Sequence, residues 1–223
     1  LLVHELLAGR PHPETGKFFG KTIAKVHGQT LGIPHEKVRG SKQENDKAVK
    51  FHLGMRLEPA LEMFPAETKE FLKISETAVT SLVLGDLASK NIFVDIKKVR
   101  FLDLERAFVG DPAFDLAFLF CHYLIEVPTD SISVSVEFIA NFIDSYRQKM
   151  KEYLKDEEAK KIENRVIRFL GITILYRIFG FYLVVNAKQN EEFWKLTAHK
   201  MLTDKKSNSL VDVLHRLNLV ELT

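Results

Sequence analysis

The stretch that most constrains this chain runs from Ser81 to Phe120 and reads SLVLGDLASKNIFVDIKKVRFLDLERAFVGDPAFDLAFLF. Its runs of Val, Ile, Leu and Phe are interrupted by isolated polar residues, which are Asp86, Asn91, Asp103, Glu105, Asp111 and Asp115. Apolar runs of this kind indicate a buried core, where a carboxylate without partners is costly. We therefore expect these polar side chains to lie at the turns where buried elements end.

The middle of this stretch predicts a β-hairpin. Two short runs rich in β-branched and aromatic residues, Ile92–Asp95 and Val99–Asp103, flank a polar turn. With Lys97 near the centre of the turn, Asn91 and Asp103 are each six residues away and lie opposite one another. Cross-strand partners have Cβ atoms about 4.5–5.5 Å apart. The hairpin is thus expected to bring an amide oxygen and a carboxylate together at its open end.

Two more carboxylates are expected near this pair. Strand alternation places Glu105 roughly on the same side as Asp103, and a loop opened by Gly85 lets Asp86, five residues before Asn91, reach the same place. Carboxylate and amide oxygens suit Mg²⁺, which takes one or two carboxylates, waters and substrate phosphates. A carboxylate left off the metal could orient a hydroxyl and accept its proton, as phosphoryl transfer requires. The alternative is that Asp and Asn are common at turns and caps; it is favoured for any single residue and is much weaker for the set.

The remainder of the chain predicts a mostly helical domain without repeats or a clear linker. A short strand is expected over Leu1–Leu7, and the polar residues 34–51 are expected to form a loop entering a helix. Apolar spacing predicts helices over Phe18–Thr30, Leu57–Ala78, Ala113–Glu126, Ser133–Leu154, Glu157–Ala187, Glu191–Leu202 and Ser207–Leu217.

Composition excludes several classes of protein. The 223 residues carry a formal net charge of +2, so no strong field indicates a nucleic-acid partner. The one cysteine, Cys121, rules out an internal disulfide framework and suits a reducing, cytoplasmic compartment. The apolar run Phe169–Val185 is short for a membrane span and has Arg177 in its middle, so a buried core helix is the better interpretation and no membrane partner is expected.

The segment LGDLASKNIFV…VRFLDLERAFVGDPAFDLAFLF resembles the aminoglycoside phosphotransferase/choline kinase family of small-molecule kinases, which share the protein-kinase-like fold. The resemblance implies an ATP-dependent O-phosphotransferase that uses Mg²⁺ and acts on a hydroxyl of a small molecule. It implies that Asp86 is the catalytic base or hydroxyl-orienting residue and that Asn91 and Asp103 are Mg²⁺ ligands. Asp115 is implied to be a structural carboxylate that braces the catalytic loop.

Three neighbouring side chains are supporting candidates. Lys90 lies beside the asparagine and could approach a transferring phosphate, although an exposed loop lysine is an equal alternative. Glu105 could touch a second metal or a cationic substrate, or it could brace the loop by hydrogen bonds. Asp111 is expected to brace the same region.

The resemblance implies an α+β fold, namely a protein-kinase-like C-terminal lobe that is mostly α-helical with an embedded catalytic β-hairpin. Residues 1–9 are expected to form the interlobe hinge strand or linker, and 10–223 the lobe itself. Within the lobe, 82–115 would hold the catalytic loop and metal-binding hairpin and 116–217 the acceptor-side helices. The chain shows no Gly-rich phosphate loop and no strand lysine for the phosphates, so the N-terminal lobe is expected to be absent from it.

Two consequences follow from the same resemblance. The hinge backbone of this family hydrogen-bonds the adenine, and that role falls on the segment around Glu5 and Leu7. Leu84 stands where the family usually has a histidine that supports the catalytic loop by hydrogen bonding, a difference that concerns how the loop is braced and not the chemistry.

The acceptor is left open at this stage. The C-terminal helices carry aromatic residues that could form a cation–π box for a choline-like amino alcohol, namely Tyr176, Phe179, Phe181, Tyr182, Phe193 and Trp194. Aromatic residues at helical spacing are more often core. A polycationic aminoglycoside would favour an acidic cleft, which the basic balance disfavours weakly, and a sugar such as methylthioribose remains open.

Other functions are kept as alternatives. A non-catalytic kinase-like binding or scaffold module is motivated by Leu84 and by the missing first lobe. A protein kinase is disfavoured because Asp103-Leu104-Glu105 stands where such enzymes have Asp-Phe-Gly.

Overall fold

Ten α-helices account for most of the computed structural model, which describes residues 1–95, 98–180, 190–203 and 209–217. In chain order they span Leu2–Leu7 (α1), Gly16–Gln29 (α2), Glu36–Arg39 (α3), Lys42–Met63 (α4), Pro65–Ser75 (α5), Ala113–Ile125 (α6), Ile132–Met150 (α7), Asp156–Phe179 (α8), Glu191–Thr203 (α9) and Leu210–Arg216 (α10). One-turn 3₁₀ helices lie between some of them, at Pro13–Thr15, Ser89–Asn91, Leu104–Arg106 and Thr129–Ser131.

Four short strands in the described residues form two separate antiparallel pairs. They are Ser81–Val83 (β1), which pairs with Phe108–Gly110 (β4), and Ile92–Asp95 (β2), which pairs with Lys98–Phe101 (β3). The second pair is a hairpin, and the first pair closes around it because β1 precedes the hairpin and β4 follows it. The polar loops before and after the hairpin are thereby held on one small framework.

Helix α6 lies at the centre of the core. Every residue from Ala113 to Ile125 is buried, and the sequence AFDLAFLFCHYLI is apolar on all sides except at Asp115 and His122. A helix that is apolar all round is expected to be covered all round. Helices α7 and α8 pack on α6, α2 packs along α7, and α4 and α9 pack along α8.

Most of the predicted elements are confirmed. Helix α2, the hairpin and the helices after Pro112 are present, with ends that differ from the predicted ones by a few residues. The predicted helix Glu157–Ala187 is confirmed as far as Phe179, and its last part, with residues 181–187, lies outside the described residues.

The strand predicted over Leu1–Leu7 is wrong, because Leu2–Leu7 is helix α1. Leu2 and Leu6 are its buried residues, and their spacing of four places them on one face of a helix. Leu and Glu are also good helix formers, whereas the strand prediction rested on apolar character alone. The assignment of residues 1–9 to a hinge stays a prediction, but the segment is not a strand.

The polar segment before Leu57 is also more helical than predicted. Helix α4 begins at Lys42, after Ser41, whose side chain accepts a hydrogen bond from the backbone N–H of Glu44. This Ser-x-x-Glu sequence is a capping box and was readable as a helix start. The predicted helix Leu57–Ala78 is two helices, because Pro65 begins a new one.

No helix in the described part of the chain is long and apolar enough to cross a membrane. The described part of the apolar run that begins at Phe169 belongs to α8 and is mostly buried in the core, as predicted. Residues 181–185 of that run lie outside the described residues.

The contact between α2 and α7 depends on a glycine. A Cβ added at Gly20 would lie within van der Waals radii of the backbone carbonyl oxygen of Phe142 and the hydroxyl of Ser145. Only a residue without a Cβ therefore allows the two helix backbones to approach this closely. Gly54, on α4, is the opposite case, because a Cβ there would meet no atom within 4 Å.

These two glycines give a matched test of the helix contact. Gly20→Ala is expected to lower the free energy of unfolding by about 1–3 kcal/mol, since overpacking against a backbone carbonyl outweighs the gain in helix propensity. Gly54→Ala is expected to raise it by about 0.5–1 kcal/mol through that gain alone. Urea denaturation of the two variants checks both signs, and a stabilised Gly20→Ala protein would contradict the close approach of α2 to α7.

Candidate active site

The loop between β1 and β2 carries Asp86 at the mouth of a cleft. Gly85, the residue before it, has φ +81° and packs so closely on the carbonyl oxygen of Arg106 that a Cβ would overlap it. Both features require glycine at this position. The backbone therefore turns sharply just before Asp86, and the Asp86 side chain lines the cleft.

A buried carboxylate from α6 holds this turn. Asp115 accepts hydrogen bonds from the backbone N–H of Leu84 (2.7 Å) and of Gly85 (3.0 Å), and it is 0% exposed. Its position in the first turn of α6 is favourable for a negative charge, because the unpaired N–H groups of a helix start there. The arrangement is the one expected of a residue that braces the loop.

The sequence prediction missed His27, which takes part in the same network. From α2, its Nε2 lies 3.2 Å from the Asp115 carboxylate, and its Nδ1 lies 3.0 Å from the Tyr146 hydroxyl. Leu84, where the resemblance implies a histidine, is 5% exposed and contributes its backbone N–H. An imidazole thus does support this region, but it comes from helix α2 and not from the loop itself. The only sequence signal was that His27 lies on the apolar face of α2.

Asn91 fixes the position of Asp86. Its side-chain amide donates to the Asp86 carboxylate (3.1 Å) and to the Asp86 backbone carbonyl (3.2 Å). Arg106 lies 3.9 Å from the same carboxylate, at the outer limit of an ion pair. The amide oxygen of Asn91 keeps its capacity as a ligand because the amide nitrogen makes both contacts.

The predicted register of the hairpin is wrong by one residue. Asp95 pairs with Lys98 and Ile92 with Phe101, so the residue opposite Asn91 is Leu102, whose N–H donates to the Asn91 carbonyl at 2.8 Å. Pairing is symmetric about the bond between positions 96 and 97, whereas the prediction centred it on Lys97, and both positions lie outside the described residues.

Asp103 and Glu105 consequently follow the hairpin. Asp103 has φ +59° and starts a 3₁₀ turn, so the prediction that strand alternation aligns Glu105 with it is wrong. Both side chains are exposed, and Asp103 forms no ion pair with any described residue.

The side-chain oxygen atoms of Asn91 and Asp103 are of the chemical type that binds a magnesium ion which also binds phosphates. The described residues contain no group of three or more His, Cys, Asp or Glu side chains arranged to hold a metal. Mg²⁺ does not need such a cage, because it keeps several waters and binds through one or two protein ligands plus substrate phosphates. The free amide oxygen of Asn91 and the unpaired carboxylate of Asp103 are ligands of that kind, and their roles stay a prediction.

Lys90 and Asp111 occupy different surroundings. Lys90 is exposed and lines the cleft beside Asp86. Asp111 receives two hydrogen bonds from the Arg165 guanidinium (2.6 and 3.1 Å) and one from the backbone N–H of Ala113. It therefore ties the start of α6 to α8.

Glu5 and Leu7 lie on α1. The Glu5 carboxylate accepts hydrogen bonds from Arg10 (2.8 Å) and lies 3.0 Å from His12, contacts that lower its pKa to about 2. Its backbone carbonyl is also taken, by the N–H of Arg10 at 2.8 Å. Leu7 is 55% exposed. Because Glu5 and Leu7 lie on a helix, they do not present the backbone of an extended strand to an adenine. The role of both residues in nucleotide binding stays a prediction.

The cleft itself has a volume of about 390 Å³, in the range of small-molecule sites. Its lining comes from α1, α4, the Asp86 loop, the turn after the hairpin, α6 and α8, and comprises Val3, His52, Met55, Arg56, Asp86, Ala88, Ser89, Lys90, Arg106, Phe118, His122, Glu126, Tyr176 and Arg177. Five polar members come from α4, from α6 with the residue that follows it, and from α8, and were not predicted as site residues, namely His52, Arg56, His122, Glu126 and Arg177.

Glu126 organises one wall of the cleft. It accepts a short hydrogen bond from Ser89 (2.5 Å), and it contacts His122 Nδ1 (2.6 Å) and the Arg177 guanidinium (3.3 Å). Burial alone would raise the pKa of Glu126, but these three partners together hold it below its ordinary value. Glu126 is therefore a paired carboxylate that connects the loop at Ser89 to α8.

Three of the four described residues of the proposed aromatic box lie elsewhere. Tyr176 lines the cleft, but Phe179, Phe193 and Trp194 do not, and Trp194 is buried against Phe193. Phe181 and Tyr182 lie outside the described residues.

A comparison with protein families gives one match. The model of a family described as the phosphotransferase enzyme family matches residues 8–160, more than half of the chain and the whole of the segment from Ser81 to Phe120. A search of curated proteins found no match.

The brace at Asp115 can be tested by an isosteric change. Asp115→Asn replaces one accepting oxygen by an NH₂ group that faces a backbone donor, so we expect the free energy of unfolding to fall by about 2 kcal/mol. Asp144→Asn, at an exposed ion pair on α7, is the matched control and is expected to stay within about 0.5 kcal/mol of the unaltered protein. Urea denaturation measures both, and equal small effects would contradict the brace.

His52 gives a pH-dependent test. Burial, with the nearby charges of Arg56 and Arg106, lowers the pKa of His52 from 6.5 to about 4. The unfolded chain therefore binds a proton that the folded protein excludes, and stability present above pH 6.5 is lost as the pH falls towards 4. His52→Phe, which can keep the stacking on Phe108, is expected to flatten this loss in denaturation curves measured from pH 7 to pH 4. If His52→Phe loses as much stability at low pH as the exposed-site control His4→Gln, the lowered pKa of His52 is contradicted.

Proposed function

Because the chain belongs to the phosphotransferase enzyme family, we propose that it acts in the transfer of the γ-phosphoryl group of ATP to a hydroxyl of a small molecule, with Mg²⁺. The observation that carries this proposal is the loop at Asp86. A carboxylate lines a cleft of small-molecule size, is held by the Asn91 amide, and follows a turn that Asp115 braces.

Asp86 is the proposed base. The Asn91 amide occupies one carboxylate oxygen, Oδ2, at 3.1 Å, which leaves the other oxygen able to accept a hydrogen bond from a substrate hydroxyl. A carboxylate held in this way orients the hydroxyl oxygen towards the phosphorus atom and takes its proton as the new bond forms. Positioning of this kind accounts for much of the catalysis of phosphoryl transfer.

Asn91 and Asp103 are the proposed ligands of Mg²⁺. When bound, the ion would neutralise charge on the phosphates of the nucleotide. Asn91 then would have two tasks, because its amide nitrogen holds Asp86 while its oxygen would serve as a ligand of the ion. Lys90, which is exposed and lines the same cleft, is the proposed contact for the transferred phosphate.

The proposal is tested on the polypeptide encoded by the whole reading frame. Asp86→Asn is expected to lower the turnover number by about 10²–10⁴-fold, the usual contribution of a positioned base, while nucleotide affinity stays unchanged. ADP release with a panel of hydroxyl compounds measures turnover, and fluorescence of a nucleotide analogue measures binding.

The exposed Asp130→Asn variant is the matched control and is expected to retain full activity. Unchanged turnover in Asp86→Asn would remove Asp86 from the chemistry. If no compound in the panel is phosphorylated, whereas nucleotide still binds, the chain is a kinase-like binding module instead.

A further inference from the structure

Arg56, on α4, is a buried cation that the proposed mechanism does not use. It is 6% exposed, and its guanidinium lies over the rings of Phe118 (4.2 Å) and Phe114 (4.6 Å). Its hydrogen bonds are two long ones to backbone carbonyls, of His52 (3.3 Å) and Gly85 (3.4 Å). Within the described residues it forms no ion pair, and its Nε has no hydrogen-bond partner.

The Arg56 side chain keeps its charge in spite of this position. Burial lowers its pKa to about 10, so it remains protonated at neutral pH. A buried charge without a counter-ion is costly, and proteins normally pair such charges. The aromatic rings stabilise a cation, but they do not supply a hydrogen-bond acceptor for the Nε–H of the guanidinium.

The other charges of the cleft do not supply the missing partner. Of its two lining carboxylates, Glu126 is engaged by Arg177 and His122. The charge of Asp86 favours the Arg56 cation, but the two side chains form no ion pair and the Asp86 carboxylate is held by the Asn91 amide. Lining cations outnumber lining carboxylates, since Arg56, Lys90, Arg106 and Arg177 face two acids. The cleft therefore presents excess positive charge to a ligand.

Arg56 is also placed next to the reacting position. Its bond to the Gly85 carbonyl puts the guanidinium beside the residue that precedes Asp86, and both side chains line the same cavity. A small molecule in the cavity can therefore contact the two groups at once. The aromatic wall near Phe118 already holds the cation of this arginine, which disfavours a quaternary ammonium there.

We propose that the acceptor is an anionic hydroxyl compound whose carboxylate or phosphate ester pairs with Arg56 while its hydroxyl meets Asp86. This inference rests on the proposed function and goes beyond it by naming the charge of the acceptor. Arg56 acts as a specificity residue: a planar guanidinium binds a carboxylate or phosphate through two parallel hydrogen bonds. A cationic acceptor would meet like charge in the same place.

The first experiment compares acceptors that differ only in charge, on the polypeptide of the whole reading frame. Matched sets are glucuronate, glucose and glucosamine, and glycerate, glycerol and 3-amino-1,2-propanediol, with glycerol 3-phosphate as the phosphate ester. In any set that is turned over, the anionic member is expected to have a kcat/KM at least about tenfold above the cationic one, the ratio that one charge-assisted contact supports. Preference for the cationic members would overturn the inference and leave the proposed function intact.

The second experiment removes the charge of Arg56. Arg56→Met is expected to abolish the preference for anionic acceptors, mainly by raising KM, while its thermal midpoint stays equal or rises, since a buried unpaired charge has been replaced by an apolar side chain. Arg168→Met, on α8 outside the cleft lining, is the matched control and keeps the preference. A preference that survives in Arg56→Met would overturn the role of Arg56.

A binding measurement decides the case without turnover. Inorganic phosphate and glycerate are titrated against thermal stability with the nucleotide site saturated by Mg²⁺ and a non-hydrolysable ATP analogue. Stabilisation in the unaltered protein and in Arg168→Met, but not in Arg56→Met, is expected. If the analogue cancels the effect, Arg56 serves the phosphates of the nucleotide and the acceptor assignment fails; equal stabilisation of all three proteins also overturns it.

Discussion

The buried carboxylate of Asp115 is the interaction on which the rest of the site depends. It is 0% exposed, and a carboxylate in that position would be costly without its partners. Two partners are backbone N–H groups of the Asp86 loop, and the third is His27 from α2. The loop, α2 and α6 must therefore assemble together for any of the three to be stable. Because the chain turns at Gly85, the same hydrogen bonds also set the direction in which Asp86 leaves the loop.

The sequence predicted the local elements of the fold well and their pairing less well. The hairpin and the helices after Pro112 were predictable because their periodicities reflect burial on one face or on all faces. The strand predicted at the N-terminus failed because apolar character alone does not separate a short strand from a short helix. The one-residue error at Asn91 arose because register depends on the geometry of the turn, which composition does not specify.

The candidate site divides in the same way. The contact between Asp86 and Asn91 was predictable because both residues fall within one short loop before the hairpin. Glu126 and Arg56 were not predictable as site residues, because they reach the cleft from the end of α6 and from α4 through contacts between residues distant in sequence. Nothing in the local pattern around Arg56 distinguishes it from a solvated helix residue, and only its packing on Phe118 reveals a buried cation.

Glu126 and Arg56 illustrate two ways in which a cleft can carry charge. The carboxylate of Glu126 is neutralised within the protein by Arg177 and is hydrogen-bonded by Ser89, so this wall is complete without a ligand. Arg56 has aromatic rings and two long hydrogen bonds to backbone carbonyls in place of a counter-ion. In most of a protein, the buried polar and charged groups have their partners, and the exceptions concentrate at functional sites. Both groups line one cavity with Asp86. We therefore interpret the paired Glu126 as a structural part of the wall and Arg56 as the part that a ligand binds.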